Sequence, residues 1–311
     1  MMIRRLPVPV AIAFVAICVL VVWPTRAADP TRTPAARTAS LFARNQLVAW
    51  CIVPFDAKKR GPAERVAMLQ RLGIKHYAYD WRAEHLPTFD TELELLKKYH
   101  VQLDAVWFPG GLNPDARTLL RLLEKHQIKT QLWVTMGDPA PQAREQAAKV
   151  TAGAQAVRPI AEAAAKIGCR VALYNHGGWF GEPENQLAII RELKLPNVGI
   201  VYNLHHGHGH LARFPELMQQ MLPHLLALNL NGMVRDGDKV GKKILVLGQG
   251  DLDLELLRTI RDSGYRGPIG ILGHTMDDAE QRLQDNLDGL AWLVAQLDGQ
   301  APGPKPRPRT P

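Results

Sequence analysis

Short runs of β-branched and other apolar residues alternate along the chain with longer segments in which apolar side chains recur every three or four positions. The first pattern is that of a strand buried on both faces and the second that of a helix with one apolar stripe; their regular alternation marks a parallel sheet wrapped by helices. The runs fall at residues 47–53, 75–79, 102–108, 130–135, 170–175, 198–202, 225–230 and 268–272. Eight strands separated by helices close most simply into a single (β/α)8 TIM barrel. An open doubly wound sheet would bring a glycine-rich phosphate loop after its first strand, and Cys51-Ile52-Val53-Pro54-Phe55-Asp56 contains no glycine.

The helices carry their own start and stop signals. Pro62 opens one, Val66, Leu69 and Leu72 mark its buried stripe and Gly73 closes it. Asn113-Pro114 caps another, with Leu119, Leu120 and Leu123 turned inward. The longest is predicted over 142–167, with Ala154, Val157, Ala161 and Ala164 on one stripe, and Glu182-Pro183 opens the next.

The two ends of the chain depart from this pattern. Residues 1–27 combine Arg4 and Arg5, an apolar run from Val8 to Trp23 and small residues near Ala27, which is the plan of a secretory signal peptide cut after Ala27. The expected location is therefore the periplasm or the exterior, with no stable membrane insertion after cleavage; an uncleaved anchor is the alternative. Residues 28–44 are expected to form a flexible linker, 45–298 the barrel, and the Pro-rich basic segment 299–311 a disordered tail. Without the signal the formal charge falls from +8 to +5, because Arg4, Arg5 and Arg26 leave with it. No face combines basic residues with interleaved aromatics, so nucleic-acid binding is not expected. Cys51 and Cys169, the cysteines outside the signal, are too few for a disulfide framework.

In a barrel of this kind functional residues belong at the C-terminal ends of the strands. Polar and aromatic residues gather there: Asp80, Trp107, Asn175, His176, Trp179, Asn203, the stretch His205-His206-Gly207-His208-Gly209-His210, Asn229, Asn231 and His274, including more than half of the eleven histidines. Side chains two residues apart on a strand face the same way. An inward choice would therefore bring His176, Asn203, Asn229, Asn231 and His274 toward a common axis and form a polar, near-neutral pocket suited to a sugar.

The runs Val171-Ala172-Leu173-Tyr174-Asn175-His176 and Val198 to His206, with the ending Gly264-Tyr265-Arg266-Gly267-Pro268-Ile269-Gly270-Ile271, resemble strands of the xylose isomerase-like sugar isomerases and epimerases. The likeness extends from about Leu47 to Leu297. It implies a barrel enzyme in which a divalent metal, held by Glu, Asp, His and Glu from the last four strands, polarises a sugar carbonyl while a carboxylate moves a proton. Carried onto this chain, those four positions are Tyr174, Asn203, Asn229 and Leu272, so the usual metal site is expected to be lost. His176 and His206 match histidines that lie near substrate in the family.

Three functions remain open on this reading. One is an isomerase or epimerase that abstracts a proton beside a sugar carbonyl, with His176 or His206 as base and Asn203, Asn229 or Asn231 donating to the developing enolate. Another is a lyase or hydratase acting on a keto-glycoside through the same carbanion, and the third is a barrel that binds carbohydrate without catalysis. Asp80 and Glu182 are further candidates for acid or base, weighed against a salt bridge for the first and helix support for the second. Trp107 and Trp179 are candidates for stacking on sugar rings, or for plain packing. His205, His208 and His210 form either a transition-metal loop or a solvated one.

Overall fold

The computed structural model describes residues 41–309, so the signal peptide and most of the linker expected before the barrel lie outside the described residues. Eight parallel strands, β1 (Leu47–Trp50), β2 (His76–Tyr79), β3 (Gln102–Phe108), β4 (Gln131–Val134), β5 (Arg170–Tyr174), β6 (Val198–Asn203), β7 (Leu225–Leu230) and β8 (Ile269–Leu272), close in sequence order into one barrel. Around it pack α1 (Pro62–Arg71), α2 (Phe89–Lys98), α3 (Pro114–Lys125), α4 (Gln146–Lys166), α5 (Pro183–Leu193), α6 (Phe214–Met221), α7 (Asp253–Asp262) and α8 (Ala279–Leu297). The expected elements are all present, with boundaries shifted by a few residues.

Local chemistry explains the helix starts. In α1, Pro62 needs no amide partner and the Glu64 carboxylate accepts from the Gly61 amide at 3.1 Å. In α3, the Asn113 side chain accepts from the Ala116 amide at 2.8 Å. The outward strand residues, among them Leu103, Leu132, Leu173, Ile200, Leu228 and Ile271, meet the apolar stripes of the helices in one continuous core.

Inside the barrel, large and small residues complement each other. Trp50 and Trp133 meet with ring centroids 4.1 Å apart, and the space they fill is left by Ala78, Ala105, Ala172 and Ala227 on other strands. Gly270 belongs to the same fit: a Cβ there would stand 2.5 Å from Asn229 Oδ1 and 3.2 Å from the Trp50 ring. The barrel interior is thus a packed plug, and open space begins only above it.

Two boundary expectations need correction. Leu41 and Phe42 are buried against the core, so the folded domain starts before residue 45. The tail expected to be disordered instead lies along α8: Trp292 Nε1 donates to Gly303 O at 3.2 Å, Gln249 Nε2 to Pro306 O at 3.0 Å, and Arg309 pairs with Asp285 at 2.7 Å and Asp288 at 2.8 Å. Low apolar content argues against an independent core; it does not prevent a segment from ordering on a surface that offers acceptors and an indole ring.

Candidate functional site

Above the tryptophan plug, the inward residues of β5, β6 and β7 form a hydrogen-bonded chain. Asn229 Nδ2 donates to Asn203 Oδ1 at 2.9 Å, and Asn203 Nδ2 donates to the Tyr174 oxygen at 2.7 Å. Asn203 Oδ1 also accepts from the His205 amide at 3.1 Å. Asn175 braces β5 against β6, accepting from Asn203 N at 2.7 Å and donating to Asn203 O at 3.1 Å. Asn175, Asn203 and Asn229 are buried and hold one another. Burial keeps the Tyr174 phenol well above its ordinary pKa, so it retains its proton. Because its oxygen already accepts from Asn203, that proton is directed elsewhere, and Tyr174 lines the cavity above.

This cavity has a volume of about 440 Å³ and opens at the C-terminal end of the barrel. Tyr174, His176, His206 and His274 line one end of it, and Asp80, Trp107 and Cys51 also reach it. The His176 and His206 rings are 4.4 Å apart, His205 stacks on His206 at 4.1 Å, and His274 stands 4.9 Å from His205 and 3.7 Å from the Phe55 ring. Arg82 closes this wall, with its guanidinium 5.4 Å from the Phe55 centroid and Nη1 donating to the carbonyls of Asp80 and Trp81.

All four imidazoles are held neutral. Burial, followed by the neighbouring imidazoles and Lys243, pushes His205 down to about 2; burial, His176 and Lys243 push His206 to about 3; burial and Arg82 push His274 to about 4. His176, nearer the open end, is lowered by partial burial and by Lys243 and Arg82. Each ring therefore keeps a free lone pair, and the buried Nδ1 of His205 has no hydrogen-bond partner.

Asp80 lies at the end of β2, across the mouth from β6 in the ring of strands. Its Oδ1 accepts from the Val53 amide at 3.3 Å, while its buried Oδ2 has no partner. Burial raises this carboxyl to about 6, an effect only partly offset by Arg82. The chain reaches it through Cys51, whose backbone takes φ of 58° just past β1 and sets the thiol beside Asp80.

The remaining candidates lie elsewhere. Asn231 donates to Gly232 O, the Met233 sulfur and Lys243 O, shaping the loop after β7. Glu182 precedes α5 without a side-chain bond to the helix, and its carboxylate instead pairs with His210 and Arg213 from the segment after β6. Trp179 donates to Gln146 away from the cavity. The transition-metal loop is not assembled: His208 bonds to Lys243 O at 2.9 Å and His210 to Tyr202 and Glu182, leaving His205 with the cavity cluster. Sequence reasoning missed the Tyr174 hydroxyl, Phe55 and Asp115 as cavity groups, although the parity that aims His176 inward aims Tyr174 inward as well.

A family model for the xylose isomerase-like TIM barrel matches residues 94–295. The chain belongs to the xylose isomerase-like TIM barrel family. In sequence it is 26% identical over 149 residues to an uncharacterized protein of Methanocaldococcus jannaschii, covering 45% of this chain and half the length of that relative. Solved structures of the same fold include a probable 3-DHS dehydratase from Bacillus anthracis, with a TM-score of 0.64, 14% identity and coverage of 79% of this chain and 98% of that one. The 3-keto-D-glucoside 4-epimerase of E. coli gives a TM-score of 0.57 at 16% identity, covering 80% and 98%. A D-psicose 3-epimerase gives 0.58 at 14%, covering 82% and 99%. At such identities the structural likeness speaks for the fold.

A divalent cation at the family's usual positions does not suit this donor set. Tyr174, Asn203 and Asn229 offer a phenol and two amides already bonded to one another, and Leu272 offers nothing. Hard cations in protein sites are held by oxygens that include carboxylates, and these positions supply none. Among the described residues one other grouping, Asp90, Glu94 and His126, lies on α2 and after α3 outside the barrel, where Asp90 already pairs with Lys125 and His126.

Proposed function

We propose that this protein is a sugar isomerase or epimerase-type enzyme that removes a proton from the carbon beside a sugar carbonyl, and that it does so without the family's divalent metal. The observation that carries this reading is the Tyr174 hydroxyl, backed by Asn203 and Asn229 and facing the same cavity as a pair of neutral imidazoles. In this scheme Tyr174 donates to the carbonyl oxygen and strengthens that bond as negative charge develops there, the task otherwise given to a metal. His176 is the base. Its pKa is lowered by partial burial, and it stands at the exposed end of the imidazole cluster, where a proton can be taken up and released. Asp80, protonated below about pH 6, returns a proton from the other side of the mouth. Asn203 and Asn229 act through Tyr174 rather than on substrate.

The ligand is a small sugar or glycoside, and the enzyme works outside the cytoplasm, as supported by the signal-like residues 1–27. Among the described residues no helix is long and apolar enough to cross a membrane. The test is incubation with a panel of ketoses and keto-glycosides in deuterated water, read by mass spectrometry. Deuterium entering one sugar carbon, and lost in Tyr174→Phe, supports the reading; a ligand that raises the melting temperature yet never exchanges a proton makes the barrel a binding protein.

A further inference from the structure

The cavity continues past the groups that handle protons. One end is built by β5, β6 and β8, with Tyr174, His176, His206 and His274, and the other by the segments after β2 and β3, with Trp81, Ala83, Pro109, Asn113 and Asp115; Trp107 stands between them, its ring 5.2 Å from Tyr174 and 5.4 Å from His176. At roughly 30 Å³ for each water in the liquid, its volume corresponds to about fifteen waters, whereas a free hexose has about twelve non-hydrogen atoms joined closer than waters pack. A single sugar ring therefore leaves one end unfilled.

The far end has its own chemistry. The Trp81 indole donates to the Trp107 carbonyl at 2.7 Å and ties the two segments together. Asn113 anchors the start of α3, placing Asp115 in its first turn at the cavity wall. Indole and proline faces beside a carboxylate suit a second sugar ring, which has an apolar C–H face and hydroxyls at its edge. The nearer end, with the Tyr174 hydroxyl and three neutral imidazoles on one side and the Asp80 carboxyl across from them, is where a carbonyl-bearing ring belongs.

We infer that the substrate is a glycoside rather than a free sugar, its oxidised ring at the imidazoles and its second ring held between Trp107 and Asp115. This rests on the proton-abstraction reading above. The test compares a keto-disaccharide with the free sugar of the same oxidised ring, measuring both calorimetric affinity and deuterium exchange. The disaccharide is expected to bind at least tenfold tighter. Asp115→Ala and Ala83→Phe, the second narrowing the far end, should each weaken the disaccharide roughly tenfold and leave the free ring within twofold. Equal affinity for the two ligands, or equal losses in both variants, overturns the inference. Discrimination that persists with no exchange in either ligand would leave the second-ring site standing and remove the catalytic reading instead.

Discussion

Two adjacent layers of the barrel interior use polar residues in opposite ways. In the lower layer, Asn203 and Asn229 are sealed from solvent and hold the Tyr174 oxygen from below, so that only its hydroxyl proton is turned to the cavity. In the upper layer, His176, His206 and His274 come from the same side of the barrel, are packed as closely, and face open space with their lone pairs free. The difference shows how one strand can supply both rigidity and reactivity. Moving two residues outward from the end of β5, from Tyr174 to His176, passes from a group whose oxygen is fixed by a partner to one whose ring keeps its lone pair free.

The contrast can be broken most severely in the upper layer. His176→Ala is expected to lower deuterium exchange by roughly 10²–10⁴-fold with the melting temperature little changed, and His206→Ala by less. If His206→Ala were the more damaging, the base would be reassigned to His206. The lower layer should respond in stability as well as in exchange, because Asn203 holds Tyr174. Asn203→Ala leaves Tyr174, Asn229 and the His205 amide without a shared partner inside the barrel, and chemical denaturation should show a loss of about 3–5 kcal/mol.

The imidazoles also predict a dependence of stability on pH. Their folded values of about 2, 3 and 4 for His205, His206 and His274 lie below the unfolded value of roughly 6.5, so the unfolded chain takes up protons first. Stability from this source is complete above pH 6.5 and falls as pH drops toward the folded values, by up to about 2 kcal/mol for each ring at pH 5 before their mutual coupling is counted. Asp80 acts the other way. Its folded value of about 6 exceeds that of the unfolded chain, so its burial is relieved as pH falls through 6. Asp80→Asn should raise stability by about 1–3 kcal/mol above pH 7 while removing the decline in activity expected as pH rises through 6. The smallest expected effect is that of a chelator: exhaustive EDTA treatment should leave exchange unchanged, and a loss restored by added Mn²⁺ would contradict the metal-free scheme.

The architecture was legible because most strands of the barrel are apolar runs bounded by turn residues and recur in a regular alternation with amphipathic helices, a signal that survives without knowledge of tertiary contacts. The site was legible only in part. Parity along a strand located His176, His206 and His274, but it cannot tell which inward residue meets solvent and which meets another side chain. Asn203, Asn229 and Tyr174 look alike in the sequence as polar groups at strand ends; their hydrogen bonds separate the two inward braces from the outward donor. Glu182 and Asn231 are a different case, since loop residues follow partners such as Arg213 and Lys243 that are distant in sequence. The tail escaped prediction because its order comes from an indole and two carboxylates on α8 rather than from its own composition.

That last attachment bears on how the protein can be handled. A version trimmed after Leu297, where composition invites a cut, would strip Trp292 of its cover and take Arg309 away from Asp285 and Asp288. An affinity label added beyond Pro311 would hang from a segment already fastened to the barrel wall, and its cleavage site would be best placed beyond Arg309.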